Sequence, residues 1–132
     1  MTDLAGKVAI VTGAGRGVGR ATALLLARKG AAVVVNDLDR LEVESTVAEI
    51  KGMGQQAIAS AGDVTAPDYP DELIQTALTG CGGIDIIVNN AGYIWNGVMH
   101  NHSDEQWQAM LDVHVTAPFR ILRAFSHWLR PQ

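Results

Sequence analysis

A short β-branched run, Lys7-Val8-Ala9-Ile10-Val11-Thr12, breaks directly into Thr12-Gly13-Ala14-Gly15-Arg16-Gly17-Val18-Gly19, and a stretch rich in Ala, Leu and Arg follows to Lys29. That junction constrains the fold more than any other feature. The run reads as a strand buried on both faces, and the stretch after it as a helix closed by Gly30. A strand that turns into a helix within a few residues needs backbone at positive φ, which glycine supplies without steric cost. The helix opening then presents free amides and a partial positive charge. An anion that approaches such a turn closely, as a diphosphate does, meets no Cβ.

The same alternation continues along the chain. Ala31–Asn36 repeats the buried-strand signature through Val33-Val34-Val35, and residues 41–51 set Val43, Val47 and Ile50 at helical spacing before Gly52. Gln56–Ser60 is a third strand candidate, and residues 71–79 carry Leu73, Ile74, Ala77 and Leu78 on one helical stripe. Ile84–Asn89 is a fourth strand. Ser103-Asp104-Glu105-Gln106 then fits a capping box that opens a long final helix. Pro118 interrupts that helix and predicts a kink or an altered hydrogen-bond pattern within it. Continuous apolar strands alternating with helices specify an α/β fold, a doubly wound parallel sheet of about four strands and four helices. Residues 1–132 have the size of one domain.

Composition narrows the function. The formal net charge is −4, and no basic run exceeds Arg28-Lys29, which argues against a nucleic-acid partner and a polybasic membrane anchor. Nothing resembles a membrane span or a signal peptide. The single Cys81 allows no internal disulfide and fits a reducing, cytoplasmic setting. No metal site is expected, because His100, His102, His114 and His127 do not form a ligand set.

The glycine spacing is neither the usual G-x-G-x-x-G nor a P-loop. It is T-G-x-x-x-G-x-G, with Gly13, Gly17 and Gly19 as its glycines. The second strand ends in Asn36-Asp37, and an acidic residue there is placed to accept from adenosine ribose hydroxyls and to repel a 2′-phosphate. Asp37 could equally cap the next helix. Asp63 could be an Asx-turn residue, and Asn89-Asn90 could satisfy strand-end amides. The glycine turn and Asp37 together favour dinucleotide binding.

Three further motifs stand in order with the first: Gly62-Asp63-Val64, Asn89-Asn90-Ala91-Gly92, and Trp107 with Val113-His114-Val115-Thr116-Ala117-Pro118-Phe119. With Thr12-Gly13-x-x-x-Gly17-x-Gly19, the set resembles the short-chain dehydrogenase/reductase family along the whole chain. The resemblance implies a Rossmann-type sheet that binds NAD(P) through Gly13, Arg16, Gly17, Val18 and Gly19. It puts Asp63 and Val64 beside the adenine and Asn90, Ala91 and Gly92 beside the nicotinamide-side ribose, with Asn89 tying the sheet together. Arg16 resembles the basic position of NADP(H)-preferring members, whereas Asp37 favours NAD(H); NAD is the expected cofactor over NADP.

The resemblance also implies hydride transfer between a nicotinamide cofactor and a secondary alcohol or ketone, carried by a Ser and a Tyr-x-x-x-Lys. Neither Tyr69 nor Tyr93 is followed four residues later by Lys. The chain is therefore expected to be the cofactor-binding, N-terminal half of a homo-oligomeric subunit, inactive alone; a non-catalytic nucleotide-binding or interaction domain is the alternative. His114 stands where the family's catalytic group has an Asn, and histidine can replace part of its hydrogen bonding. The Val113-His114 pair and Val35-Asn36-Asp37 are similar to the branch containing the hydroxyacyl-CoA dehydrogenase part of the peroxisomal multifunctional enzyme. That implies 3-hydroxyacyl thioesters or other bulky secondary alcohols as substrates.

Overall fold

In the computed structural model, which describes residues 3–93 and 96–129, the apolar runs become parallel strands and the segments between them become crossover helices. Strands β1 (Val8–Val11), β2 (Ala32–Asp37), β3 (Ala57–Ala61) and β4 (Ile86–Val88) form one sheet in the order β3-β2-β1-β4. Ile10 pairs with Val34 on one side and Ile87 on the other, so β1 lies in the interior and β4 forms an edge.

Helices cover both faces, as the absence of polar alternation in β1 and β2 requires. Val11, Val33 and Val35 pack against Ala23, Leu24 and Ala27 of α1 (Gly17–Arg28) and Val43, Val47 and Ile50 of α2 (Arg40–Gly52). Ile10 and Val34 point the other way, onto Leu73, Ile74 and Ala77 of α3 (Tyr69–Cys81) and Val113, Ala117 and Ile121 of the last helical segment. Ile10, Ile50, Leu73 and Ile121 are fully buried, each contributing about 1.5–3 kcal/mol by leaving water.

Local chemistry fixes the helix ends. Asp39 accepts from Leu41 N at 2.9 Å and Glu42 N at 3.2 Å and so caps α2. The capping role considered for Asp37 thus belongs to Asp39. Helix α3 starts at Tyr69, before the expected Asp71, because Pro70 already holds helical φ and lacks an amide needing a partner. Gly82, at φ +82°, closes it. The capping box at Ser103 forms as expected, with Gln106 N on Ser103 Oγ at 3.1 Å and Ser103 N on Gln106 Oε1 at 2.9 Å.

The last segment comprises α4 (Asp104–Leu111), a π-helical turn (Asp112–Thr116) and α5 (Ala117–Leu129). The wide turn is the response to Pro118, whose ring would meet the His114 carbonyl in a regular helix and which offers that carbonyl no N–H. Strand β4 is shorter than the expected Ile84–Asn89. At its start Val8 N bonds the Asp85 carboxylate at 2.9 Å, a side chain substituting for one rung of the ladder.

Candidate functional site

The carboxyl ends of all four strands face one rim of the sheet, and a cavity of about 450 Å³ opens there. In open α/β sheets this is where ligands bind, next to the point at which strand order reverses. Here the reversal falls between β1, whose successor β2 lies on one side, and β4, which lies on the other.

Each glycine of the first turn has its own physical cause. Gly13 holds φ +64°, and a Cβ there would sit 2.9 Å from Ala91 Cα and 3.0 Å from Asn90 Nδ2. Gly17 holds φ +60° with open space beside it. Gly19 lies behind the turn, where a Cβ would strike the Gly13 carbonyl and the Asn90 side chain; close packing of α1 against the strand ends demands glycine here. At Gly15 a Cβ would come within 2.9 Å of Glu42 Cβ and 3.0 Å of the Asp37 carboxylate. The N-cap of α1, Arg16, makes no side-chain capping bond, and no acidic residue stands in the first turn. The positive end of α1 is thus met by neither a side-chain cap nor a first-turn carboxylate.

The strand ends are stitched by short polar contacts. Thr12 Oγ1 accepts from Asn90 N and Ala91 N, both at 3.0 Å, and Asn90 Nδ2 donates to Gly13 O at 3.2 Å. The tie expected of Asn89 therefore runs through Thr12 and Asn90. Asp37 Oδ2 accepts from Gly15 N at 2.9 Å and Oδ1 from Leu38 N at 2.8 Å, so β2 holds its carboxylate at the glycine turn. Asp63 Oδ1 accepts from Thr65 N at 2.9 Å and Thr65 Oγ1 at 2.7 Å, which makes the Asx-turn while Asp63 also borders the cavity.

Gly13, Arg16, Gly17, Val18, Asp37, Asp63, Val64, Asn90, Ala91 and Gly92 all line this cavity; Gly19 supports it from behind. His114 does not line it. Its Nε2 lies 2.8 Å from Tyr93 O, and its ring packs on Gly92, where a Cβ would come within 2.5 Å of His114 Cε1. The histidine braces the wall from outside.

Sequence reading missed several wall residues, among them Leu38, Tyr93 and Asn36. Asn36 is buried, and its Nδ2 lies 3.1 Å from Ser60 O, 3.2 Å from Gly62 O and 2.9 Å from Tyr69 Oη. Tyr69 also bonds Ser60 Oγ, and burial pushes its phenol above the ordinary value, partly offset by those hydrogen bonds to Ser60 and Asn36. A buried polar residue at the end of an apolar strand was the available signal. Among the described residues no group of three or more His, Cys, Asp or Glu could hold a metal ion, and no helix is long and apolar enough to cross a membrane.

The family model described as short chain dehydrogenase matches residues 7–132. A hydroxyacyl-CoA dehydrogenase of Mycobacterium tuberculosis, ChsB1, is 47% identical over 96% of this chain and 42% of its own length. The peroxisomal multifunctional enzyme type 2 of Mus musculus is 40% identical over 96% of this chain and 18% of its own. Among solved structures, a short chain dehydrogenase from Mycobacterium avium superposes with TM-score 0.94 at 39% identity, over 98% of this chain and 48% of that one. A metagenomic short-chain oxidoreductase in complex with NADP gives TM-score 0.88 at 37% identity, over 94% of this chain and 57% of that one. NAD+-bound xylitol dehydrogenase gives 0.88 at 33%, over 94% and 48%. The chain thus spans half or less of the curated relatives described and about half of the solved ones.

Proposed function

The chain belongs to the short chain dehydrogenase family, and on that premise we propose that residues 1–132 are one Rossmann domain, the NAD(H)-binding part of an oxidoreductase acting on secondary alcohols or ketones. The observation that carries this reading is the cavity at the strand ends, where the uncapped opening of α1 meets Asp37, Asp63 and Asn90.

The residues present fit a dinucleotide. The amides that open α1 at Gly17 and Val18 would hold the diphosphate, with Gly13 and Gly19 letting the turn close against the strand ends. Asp37 would accept from the adenosine ribose hydroxyls, since each carboxylate oxygen has a lone pair beyond the one already engaged by Gly15 or Leu38. Asp63 and Val64 would border the adenine, and Asn90, Ala91 and Gly92 the nicotinamide-side ribose. When bound, the nicotinamide ring supplies the hydride acceptor or donor. His114, in the place of the family's Asn, would keep the Gly92-Tyr93 wall in position and could pass a hydrogen bond onward from its ring. By this reading the 132 residues bind nucleotide without turning substrate over, as no Tyr-x-x-x-Lys occurs in them.

Charge decides between the cofactors. In a water-like medium two unit charges 4 Å apart interact by about 1 kcal/mol. A 2′-phosphate with nearly two charges would therefore lose about 2 kcal/mol, roughly thirtyfold in affinity, beside Asp37. Arg16 works in the opposite sense, from an exposed side chain on the same cavity wall. The 3-hydroxyacyl thioester class of substrate is supported by the name of one curated relative, the hydroxyacyl-CoA dehydrogenase ChsB1. A homo-oligomer is supported by exposed Trp107 and Phe119 on α4 and α5. The lone Cys81 and the absence of a membrane-crossing helix among the described residues suit a cytoplasmic setting.

Titration with NADH and NADPH, followed by fluorescence, tests this reading. Wild type should prefer NADH, and Asp37→Ala should narrow the preference even though both affinities fall as Gly15 N loses its partner. An unchanged ratio removes the role of Asp37. Failure of wild type to bind either nucleotide removes the dinucleotide reading.

A further inference from the structure

One peptide unit of the glycine turn, between Ala14 and Gly15, is held at both ends by the second strand–helix unit. Its N–H, on Gly15, donates to Asp37 Oδ2 at 2.9 Å, and its carbonyl, on Ala14, accepts from Thr46 Oγ1 of α2 at 3.0 Å. A peptide plane fixed at both its donor and its acceptor cannot rotate. Ala14 N, bonded to Asn36 O at 2.7 Å, anchors the neighbouring peptide.

Thr46 is fully buried, which is costly for a hydroxyl unless it is paired. Its lone hydroxyl proton has two carbonyls in reach, Ala14 O at 3.0 Å and Glu42 O, its own helix's carbonyl one turn back, at 3.2 Å. Arg20 of α1 donates to the hydroxyl oxygen through Nη1 at 2.7 Å, while its Nη2 is paired with Glu49. The guanidinium occupies one side of the oxygen and leaves the proton to a carbonyl acceptor, of which Ala14 O is the nearer.

We propose that Thr46 is a positioning residue for the diphosphate. By drawing the Ala14 carbonyl toward α2, it keeps that negative end of the peptide dipole out of the anion's space and sets the direction of the amides that follow at the opening of α1. Thr46 touches no ligand itself; it acts through the turn. The inference rests on the dinucleotide reading of the same cavity.

The test compares ADP-ribose, which carries the diphosphate, with adenosine, which lacks it, on the 132-residue chain. Thr46→Val keeps the shape and removes the hydroxyl. It should weaken ADP-ribose about tenfold while adenosine changes less than twofold, and Thr46→Ser should restore the wild-type ratio. Arg20→Met, changed at a partly exposed site, leaves the core intact and should shift the ratio in the same direction by a smaller factor. It supplies the readout if Thr46→Val does not fold. Parallel loss of both ligands, or no change in the ratio, would mean that Thr46 only stabilises the fold and would overturn the proposal. If wild type binds adenosine but gains nothing from the diphosphate, the dinucleotide reading fails first and the role of Thr46 with it.

Discussion

Tyr69→Phe is the perturbation whose cost follows most directly from the structure. The hydroxyl sits in the buried cluster beneath the Gly62 side of the cavity, bonded to Ser60 Oγ, to Ser60 O at 2.9 Å, and to Asn36 Nδ2 at 2.9 Å. Removing it leaves Ser60 Oγ without its only side-chain partner among the described residues, while Asn36 Nδ2 keeps Ser60 O and Gly62 O. A lost internal hydrogen bond costs about 1 kcal/mol net, and a buried group left unpaired about 1–3 kcal/mol. The expected loss is about 2 kcal/mol, or about 8 °C in Tm for a chain of this size. The sign of its pH dependence is also set. Burial raises the phenol above its ordinary value of 10.0, so the unfolded chain ionises first as pH rises and the folded state is then disfavoured. The contribution of the hydroxyl is complete below pH 10 and shrinks above it, by up to about 1.4 kcal/mol per pH unit until the folded phenol itself titrates. Urea melts of both proteins between pH 8 and 11 measure the difference. A gap under about 0.5 kcal/mol at pH 8, or one that stays constant to pH 11, would refute the reasoning.

Gly19→Ala should destabilise the chain by about 1–3 kcal/mol, because the methyl meets the Gly13 carbonyl and the Asn90 side chain, and NADH affinity should fall at least tenfold. Gly52→Ala, at the end of α2 with nothing within 4 Å of the added carbon, should be neutral or stabilising by up to about 1 kcal/mol in the same melts. Ser103→Ala removes the cap on α4 and should cost about 0.5–2 kcal/mol while leaving nucleotide affinity unchanged, since the cap lies away from the cavity; a loss of affinity would show that α4 shapes the site.

Much of the architecture could be read from residue order because its local and global signals agree. The Val-rich runs have no polar alternation, so they had to be covered on both faces, and glycine marks most of the hard turns, at Gly13, Gly17, Gly30, Gly54 and Gly82. The boundaries were less legible where a side chain replaced the backbone: Asp85 takes over a rung at the start of β4, and Pro70 moves the start of α3 to Tyr69. The π-helical turn was foreshadowed by Pro118, although its form was not, because relief by a kink or by a widened turn depends on packing against α3 and β1. In the cavity, motif residues were found and the residues supporting them were not. Thr46, Asn36 and Tyr69 act through contacts between residues far apart in sequence, and spacing along the chain carries no trace of those pairings. Asp37 shows the converse: its place at the end of β2 was readable, but its hold on Gly15 N was not.

The account stands on an anion seated at the opening of α1. Backbone amide NMR during titration with ADP-ribose examines that point without requiring catalysis. Arg16, Gly17 and Val18 should shift most, together with Asn90 to Gly92, and half-saturation should coincide across them. Unmoved amides at 16–18, with the largest changes at the opposite end of the sheet around Gln55 and Gln56, would contradict it.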